Sequence, residues 1–377
     1  MSIVQPFGTA AAPRIRGAAA VLTRRRLEMV LGMIWVLDGA LQFQPYMFTN
    51  AFFTNMLGMA NMGLPGPVSS AIFQVTTLLT KHPVIWNAAF AALQVAIGAG
   101  LLWPRMARLA RPVSVVWALG VWVVGEGVGA LFMPGTSALN GAPGAALLYA
   151  VAAVMLWPRR QDDDHIVPVE RDGPADLNDS YDHAERERAF RPPRVAAADA
   201  GILGGRGALC CWALLWAGLS LLELGAANHA AVVPAAQVSN IANGEPGWLA
   251  AINHHAGHLL AGRGAVFALT AALVQLAVGL GALVPRSRRL ALGAGIGLAV
   301  CYGILGQDLG GILTGQATDP GSAPLLVLLA LVLWPRQDLT GSRRHVPGTR
   351  QYAPDTRLNI PGTRRGIAGP ANLSSTG

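Results

Sequence analysis

Lysine is almost missing from this chain. Lys81 is the one lysine among 28 basic residues, and all the others are arginine. Charge of either sign is scarce, since Asp, Glu, Lys and Arg make up 13% of the 377 residues. An ordinary soluble domain carries about 25%. Hydrophobic residues make up 53%, and the mean hydropathy is +0.42. This excludes a typical water-facing domain and fits an integral membrane protein. Cysteine is scarce too: Cys210 and Cys211 are adjacent, and Cys301 sits in an apolar stretch, so no disulfide framework is expected. No stretch resembles a nucleophile with its base, a phosphate loop or a nucleotide fingerprint. A non-enzymatic role is therefore expected. The net charge of +8 could suit nucleic acid, but the arginines gather at the ends of apolar segments, which argues against that partner and for the lipid bilayer.

What is present is a series of apolar runs. A membrane helix needs roughly 17–25 such residues. Eight candidates lie near 27–44, 84–103, 112–133, 140–157, 209–228, 264–284, 290–312 and 321–334. "TRRRLEMVLG" faintly resembles a twin-arginine export signal, but no small-residue cleavage site follows, so a retained first helix is expected. Arg14, Arg16, Arg24, Arg25 and Arg26 precede the first segment. Arg105, Arg108 and Arg111 join the second and third; Arg159 and Arg160 follow the fourth; Arg286, Arg288 and Arg289 join the sixth and seventh; Arg336 follows the eighth. The opposite connections hold Lys81 and Arg263. Positive charge stays inside, so the expected location is a bacterial plasma (inner) membrane with both termini cytoplasmic.

One tetrapeptide, "LWPR", recurs at Leu102–Arg105, Leu156–Arg159 and Leu333–Arg336, with a near-copy in "ALVPRSRR" from Ala282. Each copy closes an even-numbered segment. Trp suits the headgroup level, Pro stops the helix, and Arg meets the anionic inner surface.

The copies expose an internal repeat. A shift of 181 residues aligns "AALQVAIGAGLLWPR" with "AALVQLAVGLGALVPR", "GEGVG" at Gly125 with "GQDLG" at Gly306, and Pro65 with Pro246. Asp38 falls opposite Glu223 after a small gap. The expected fold is thus all-α and integral to the membrane: eight transmembrane helices forming two tandem four-helix modules in the same orientation. The boundaries are a basic N-terminus at 1–26, module one at 27–160, a charged disordered linker at 161–208, module two at 209–336 and a basic disordered tail at 337–377. The Asp162–His165 run in the linker reads as a solvated acidic stretch.

The stretch "LQVAIGAGLLWPRMARLARPV" resembles the second-to-third helix connection of DoxX-like four-helix membrane proteins. Gln94 and Gln275 stand where an acidic residue is common in that family. The resemblance covers both modules. It implies an accessory component of membrane redox complexes with sulfur or oxidative-stress roles, other membrane proteins as partners, and no catalytic residue.

Asp38, Glu126, Glu223 and Asp308 fall inside apolar segments, and Gln94 and Gln275 add intramembrane amides. An ionised carboxylate at mid-membrane costs about 2.5–3.5 kcal/mol, so four would cost on the order of 10 kcal/mol. Asp38 and Glu126 are expected at one depth in module one, and Glu223 and Asp308 in module two. One reading is a proton- or cation-binding layer open to the outside, as a cation transporter would use. The other is neutral carboxyls joining helices at glycine-lined contacts.

The outer connections differ. Module two has "INHHAGH", which as a helix puts His254 and His258 one turn apart with His255 beside them, a spacing that suits zinc, copper or haem iron. Module one has Phe73, Gln74 and Thr77 there, but also Met56, Met59 and Met62, thioethers that could hold Cu(I). The plainer account makes the His polar groups at the headgroup level and the Met residues part of an interfacial helix.

Overall fold

The structure, a computed structural model, describes residues 22–159 and 197–335. Most of the N-terminus, most of the linker and the tail from 336 lie outside the described residues, as do the expectations placed on them.

The first run of helices is α1 (Arg24–Leu41), α2 (Asn50–Ala60), α3 (Gly66–Leu79), α4 (Pro83–Leu102), α5 (Ala107–Val124) and α6 (Ala145–Met155). The second is α7 (Gly204–Glu223), α8 (Val233–Ile241), α9 (Gly247–Leu260), α10 (Gly264–Gly281), α11 (Arg288–Leu305) and α12 (Ser322–Val332). No strand occurs among the described residues; Pro158 and Gly201 form an isolated antiparallel bridge. Five helices, α4, α5, α7, α10 and α11, are long and apolar enough to cross a membrane. α1 has 18 residues but includes Arg24, Arg25, Arg26, Glu28 and Asp38. α6 and α12 have 11 residues each, about 16 Å of helix, against a hydrocarbon layer of about 30 Å.

The two runs follow one order. Gly66 and Gly247, Pro83 and Gly264, and Ala107 and Arg288 open corresponding helices 181 residues apart. Pro65 and Pro246 precede the first of these pairs in the same extended conformation, with φ −58° and −56°. Thr23 begins α1 by accepting the Arg26 amide, and Thr49 begins α2 by accepting that of Phe52.

The LWPR copies mark helix ends, because α4, α6, α10 and α12 stop at Leu102, Met155, Gly281 and Val332. Arginine side chains satisfy the carbonyls left over there. Arg25 donates to the oxygens of Leu101 (2.7 Å) and Leu102 (2.6 Å), Arg24 to that of Leu156 (2.8 Å), and Arg288 to that of Ala282 (2.9 Å). Glu28, 1% exposed, is bonded by Arg111 of α5. These bonds put the starts of α1 and α5 beside the ends of α4 and α6, so the four alternate in direction. α1 and α4 cross closely: a Cβ on Gly98 would stand 2.6 Å from the Gly32 carbonyl oxygen. Small residues at such crossings let backbones meet.

Two boundaries differ from expectation. The segment expected to run to 133 ends at Val124, and the one expected to run to 312 ends at Leu305. In both places glycine-rich backbone turns left-handed: φ is positive at Gly127, Val128, Gly129 and Ala130, and again at Asp308, Leu309, Gly310 and Gly311. Non-glycine residues held so cost about 1–3 kcal/mol each and persist where packing imposes them. The irregular stretches 125–144 and 306–321 therefore stand where helix was expected. The linker boundary also moves. Ala197 and Ala198 are buried, Arg159 donates its amide to Ala200, and α7 begins at Gly204, so order resumes before 208.

One buried core runs through both halves. Trp35, Leu148 and Tyr149 share it with Trp212, Leu326 and Leu329. The irregular stretches also join the halves: Asn228 donates to the Thr136 carbonyl, Gln237 to that of Gly135, and Gln307 to that of Ala138.

Candidate functional site

Asp38 lies in the last turn of α1 and is 2% exposed. Four elements bring other polar groups towards it. Gln42 caps the end of α1, Gln94 comes from α4, Tyr149 from α6 and Glu126 from the turn after α5. Together with Asp319, from the loop before α12, they line a cavity of about 370 Å³. Its other walls are apolar and largely aromatic, with Trp35, Phe52, Phe90 and Trp117. The Trp35 and Tyr149 rings lie 4.3 Å apart, and those of Phe90 and Trp117 5.2 Å. Trp35 is fixed by its indole N–H, which donates to Ser114 Oγ at 2.9 Å.

Glu126 is held at the start of α6, where its Oε1 accepts the Ala146 amide at 2.9 Å. A helix N-terminus favours such an acceptor. The approach requires glycine at 144, where φ is +99° and a Cβ would overlap Glu126 Oε2. Asp319 is braced by the Thr318 hydroxyl and the Gly321 amide, both at 2.8 Å. Its carboxyl lies within electrostatic range of those of Asp38 and Glu126. The Tyr149 hydroxyl lies beside Asp38. Even so, five buried oxygens on this cavity have no hydrogen-bond partner, namely Asp38 Oδ1, Gln42 Oε1, Gln94 Oε1, Glu126 Oε2 and the Tyr149 hydroxyl, and the Trp117 indole N–H has none either. No Arg, Lys or His is among the described residues that line it. Glu126 and Asp319 also border a second cavity, of about 480 Å³, between the halves.

The corresponding place in the second half is filled. Gln275, fully buried, donates to Glu223 Oε1 at 3.0 Å and to the Tyr302 hydroxyl at 2.9 Å. Tyr302 stands 181 residues after Val121, and Gln275 the same distance after Gln94. Valine cannot reach Gln94 as the tyrosine reaches Gln275, and Asp38 is one methylene shorter than Glu223. In the second half Gln275 Oε1 is left without a partner, whereas in the first both Gln94 Oε1 and Asp38 Oδ1 are.

The structure therefore gathers Asp38, Glu126 and Gln94, and it gathers Glu223 with Gln275. It does not pair Glu223 with Asp308. Asp308 lies in the turn after α11 beside Glu245, which accepts both hydrogen bonds of the Asn253 amide, at 2.7 and 2.9 Å. His254, His255 and His258 lie on α9 with their side chains exposed. Among the described residues no three His, Cys, Asp or Glu side chains gather as a metal-ligand set. Met56 lines the cavity that holds Asp38, whereas Met59 and Met62 face outward, 61% and 52% exposed. Sequence reasoning missed Asp319 and Tyr149. A usable signal existed for Asp319, since "DPGS" before α12 parallels "APGA" before α6.

The fold and site define a helical, membrane-type protein with a buried polar cavity. Comparison with protein-family models, with curated proteins and with solved structures found no match.

Proposed function

We propose that this chain is a polytopic protein of a bacterial plasma membrane, with eight crossings in two tandem modules of one orientation and both ends cytoplasmic. The arginine placement and the 181-residue offset between corresponding helices support this reading. In it α6 and α12 complete their crossings together with the irregular stretches beside them. Irregular backbone at membrane depth is tolerated where it is buried in protein or lines a cavity, and stretch 125–144 does both. The resemblance of each module to DoxX-like proteins belongs to the same proposal and rests on residue pattern alone.

The role that follows is a non-enzymatic accessory module that binds a small molecule with an apolar body and a polar head. One observation carries it: five unpartnered buried oxygens line one cavity with aromatic side chains in its wall. Unsatisfied buried polar groups cost about 1–3 kcal/mol each, and a ligand that bonds them recovers that. Titration of the detergent-solubilised full chain with 2-phenylethanol should show one site, lost in Val121→Tyr. No saturable binding, or equal binding by the variant, overturns the reading.

A second reading, a cation-handling transporter, is favoured by Glu126 and Asp319 bordering both cavities. Uptake into proteoliposomes separates a carrier from a binder.

A further inference from the structure

The cavity's chemistry selects among ligands. This step rests on the binding reading above and specifies the head group. Three carboxyls meet at the polar end: Asp38 from α1, Glu126 from the start of α6, and Asp319 from the second half. Among the described lining residues no cationic side chain balances them. Of the unpartnered groups on the cavity, Asp38 Oδ1, Gln42 Oε1, Gln94 Oε1 and Glu126 Oε2 are acceptors, the Tyr149 hydroxyl can accept or donate, and the Trp117 indole N–H only donates; acceptors outnumber donors, so the missing partner is a donor. An anionic head would meet carboxylates in a low-dielectric site, and an uncharged hydroxyl offers one donor to several acceptors. A protonated primary amine offers three donors and the opposite charge. The aromatic faces beside Asp38 suit it further, because ring faces attract a cation within about 6 Å.

We infer that the first-half cavity binds a primary ammonium on a compact apolar or aromatic body, with the ammonium among Asp38, Glu126 and Asp319 and the body against Trp35, Phe90 and Trp117. Asp319 comes from the second half, so the site is complete only when both halves are in place. The corresponding residues of the second half are arranged differently, because Gln275 bonds both Glu223 and Tyr302.

The test is calorimetric titration of the full chain in detergent with three molecules sharing one body: 2-phenylethylamine, 2-phenylethanol and 3-phenylpropanoate. The amine should bind at least about ten-fold tighter than the alcohol, as charge-assisted bonds to buried acceptors imply, and the acid should not bind. Two variants keep their structural bonds while removing charge. Asp319→Asn retains an oxygen for the Gly321 amide, and Glu126→Gln retains the bond that Gln307 makes at the start of α12. Each should weaken the amine about ten-fold and the alcohol by much less, so that the amine's advantage disappears, while Glu223→Gln in the second half should leave both unchanged. If amine and alcohol bind equally in wild type and in Asp319→Asn, the ammonium assignment is wrong and the binding reading stands. If neither binds, both fall. If the amine's advantage survives Asp319→Asn and Glu126→Gln together, the acidic end is not where the head sits, and the inference is overturned.

Discussion

Glu126 and Gln307 hold one position in the two halves and do the same work there. Each follows a long helix by two residues, and each accepts a backbone amide in the first turn of the short helix beyond: Ala146 for Glu126, Ser322 for Gln307. Gln307 also accepts the Ser322 hydroxyl at 2.9 Å. The residue at this position is therefore a remote helix cap, and its charge is a separate matter. Glu126→Gln should leave the thermal midpoint of the purified protein unchanged. Glu126→Ala should lower stability by about 1 kcal/mol, the usual cost of a lost cap. Equal destabilisation by Gln and Ala would show that the charge, not the cap, holds this corner.

Arg111 and Glu28 form the buried tie between α5 and α1. Glu28 is 1% exposed and Arg111 9%. Removing one member of a buried pair leaves the other charge uncompensated, at about 3–5 kcal/mol. Arg24 and Arg25 also reach Glu28, which moderates the loss of Arg111. Arg111→Met should cost about 3 kcal/mol and show as a lower thermal midpoint and less protein in the membrane. A variant as stable as wild type would mean the two nearby arginines suffice.

Topology gives a third outcome, independent of any ligand. A reporter fused after Arg160 or at the C-terminus should read cytoplasmic. One inserted near Pro65 or Gly244, before α3 or α9, should read external. A cytoplasmic signal at Pro65 would sink the eight-crossing scheme and with it the same-orientation modules.

Some helix starts were legible: the segment expected from 264 begins at Gly264, whereas those expected from 112, 140 and 209 begin at Ala107, Ala145 and Gly204. What hydropathy could not register is backbone sign. "GEGVGAL" and "GQDLGGIL" are apolar enough to extend a helix in any window average, yet glycines turn both chains left-handed. Glu126 and Asp308 thus left the helices they were expected to occupy. Gln94 and Gln275 were readable as intramembrane amides, but whether each finds a partner depends on Val121 or Tyr302 one helix away. The "DPGS" pattern marked where Asp319 sits, but its place on the cavity was not readable because that lies across the interface between halves. The spacing of His254 and His258 correctly placed them on one helical face. Spacing cannot say what, if anything, stands opposite that face.

The tyrosine at 302 and the valine at 121 have a meaning beyond packing. Two identical four-helix subunits around a two-fold axis would carry equal cavities, both open or both filled. Joining the two halves in one chain removes that constraint. One half can spend its polar triad on rigidity and offer the loop that carries Asp319. The other, with valine in place of the tyrosine, can leave Asp38 Oδ1 and Gln94 Oε1 without partners. On the proposed reading of two modules, their linkage in one chain permits a difference between the cavities that symmetry would forbid.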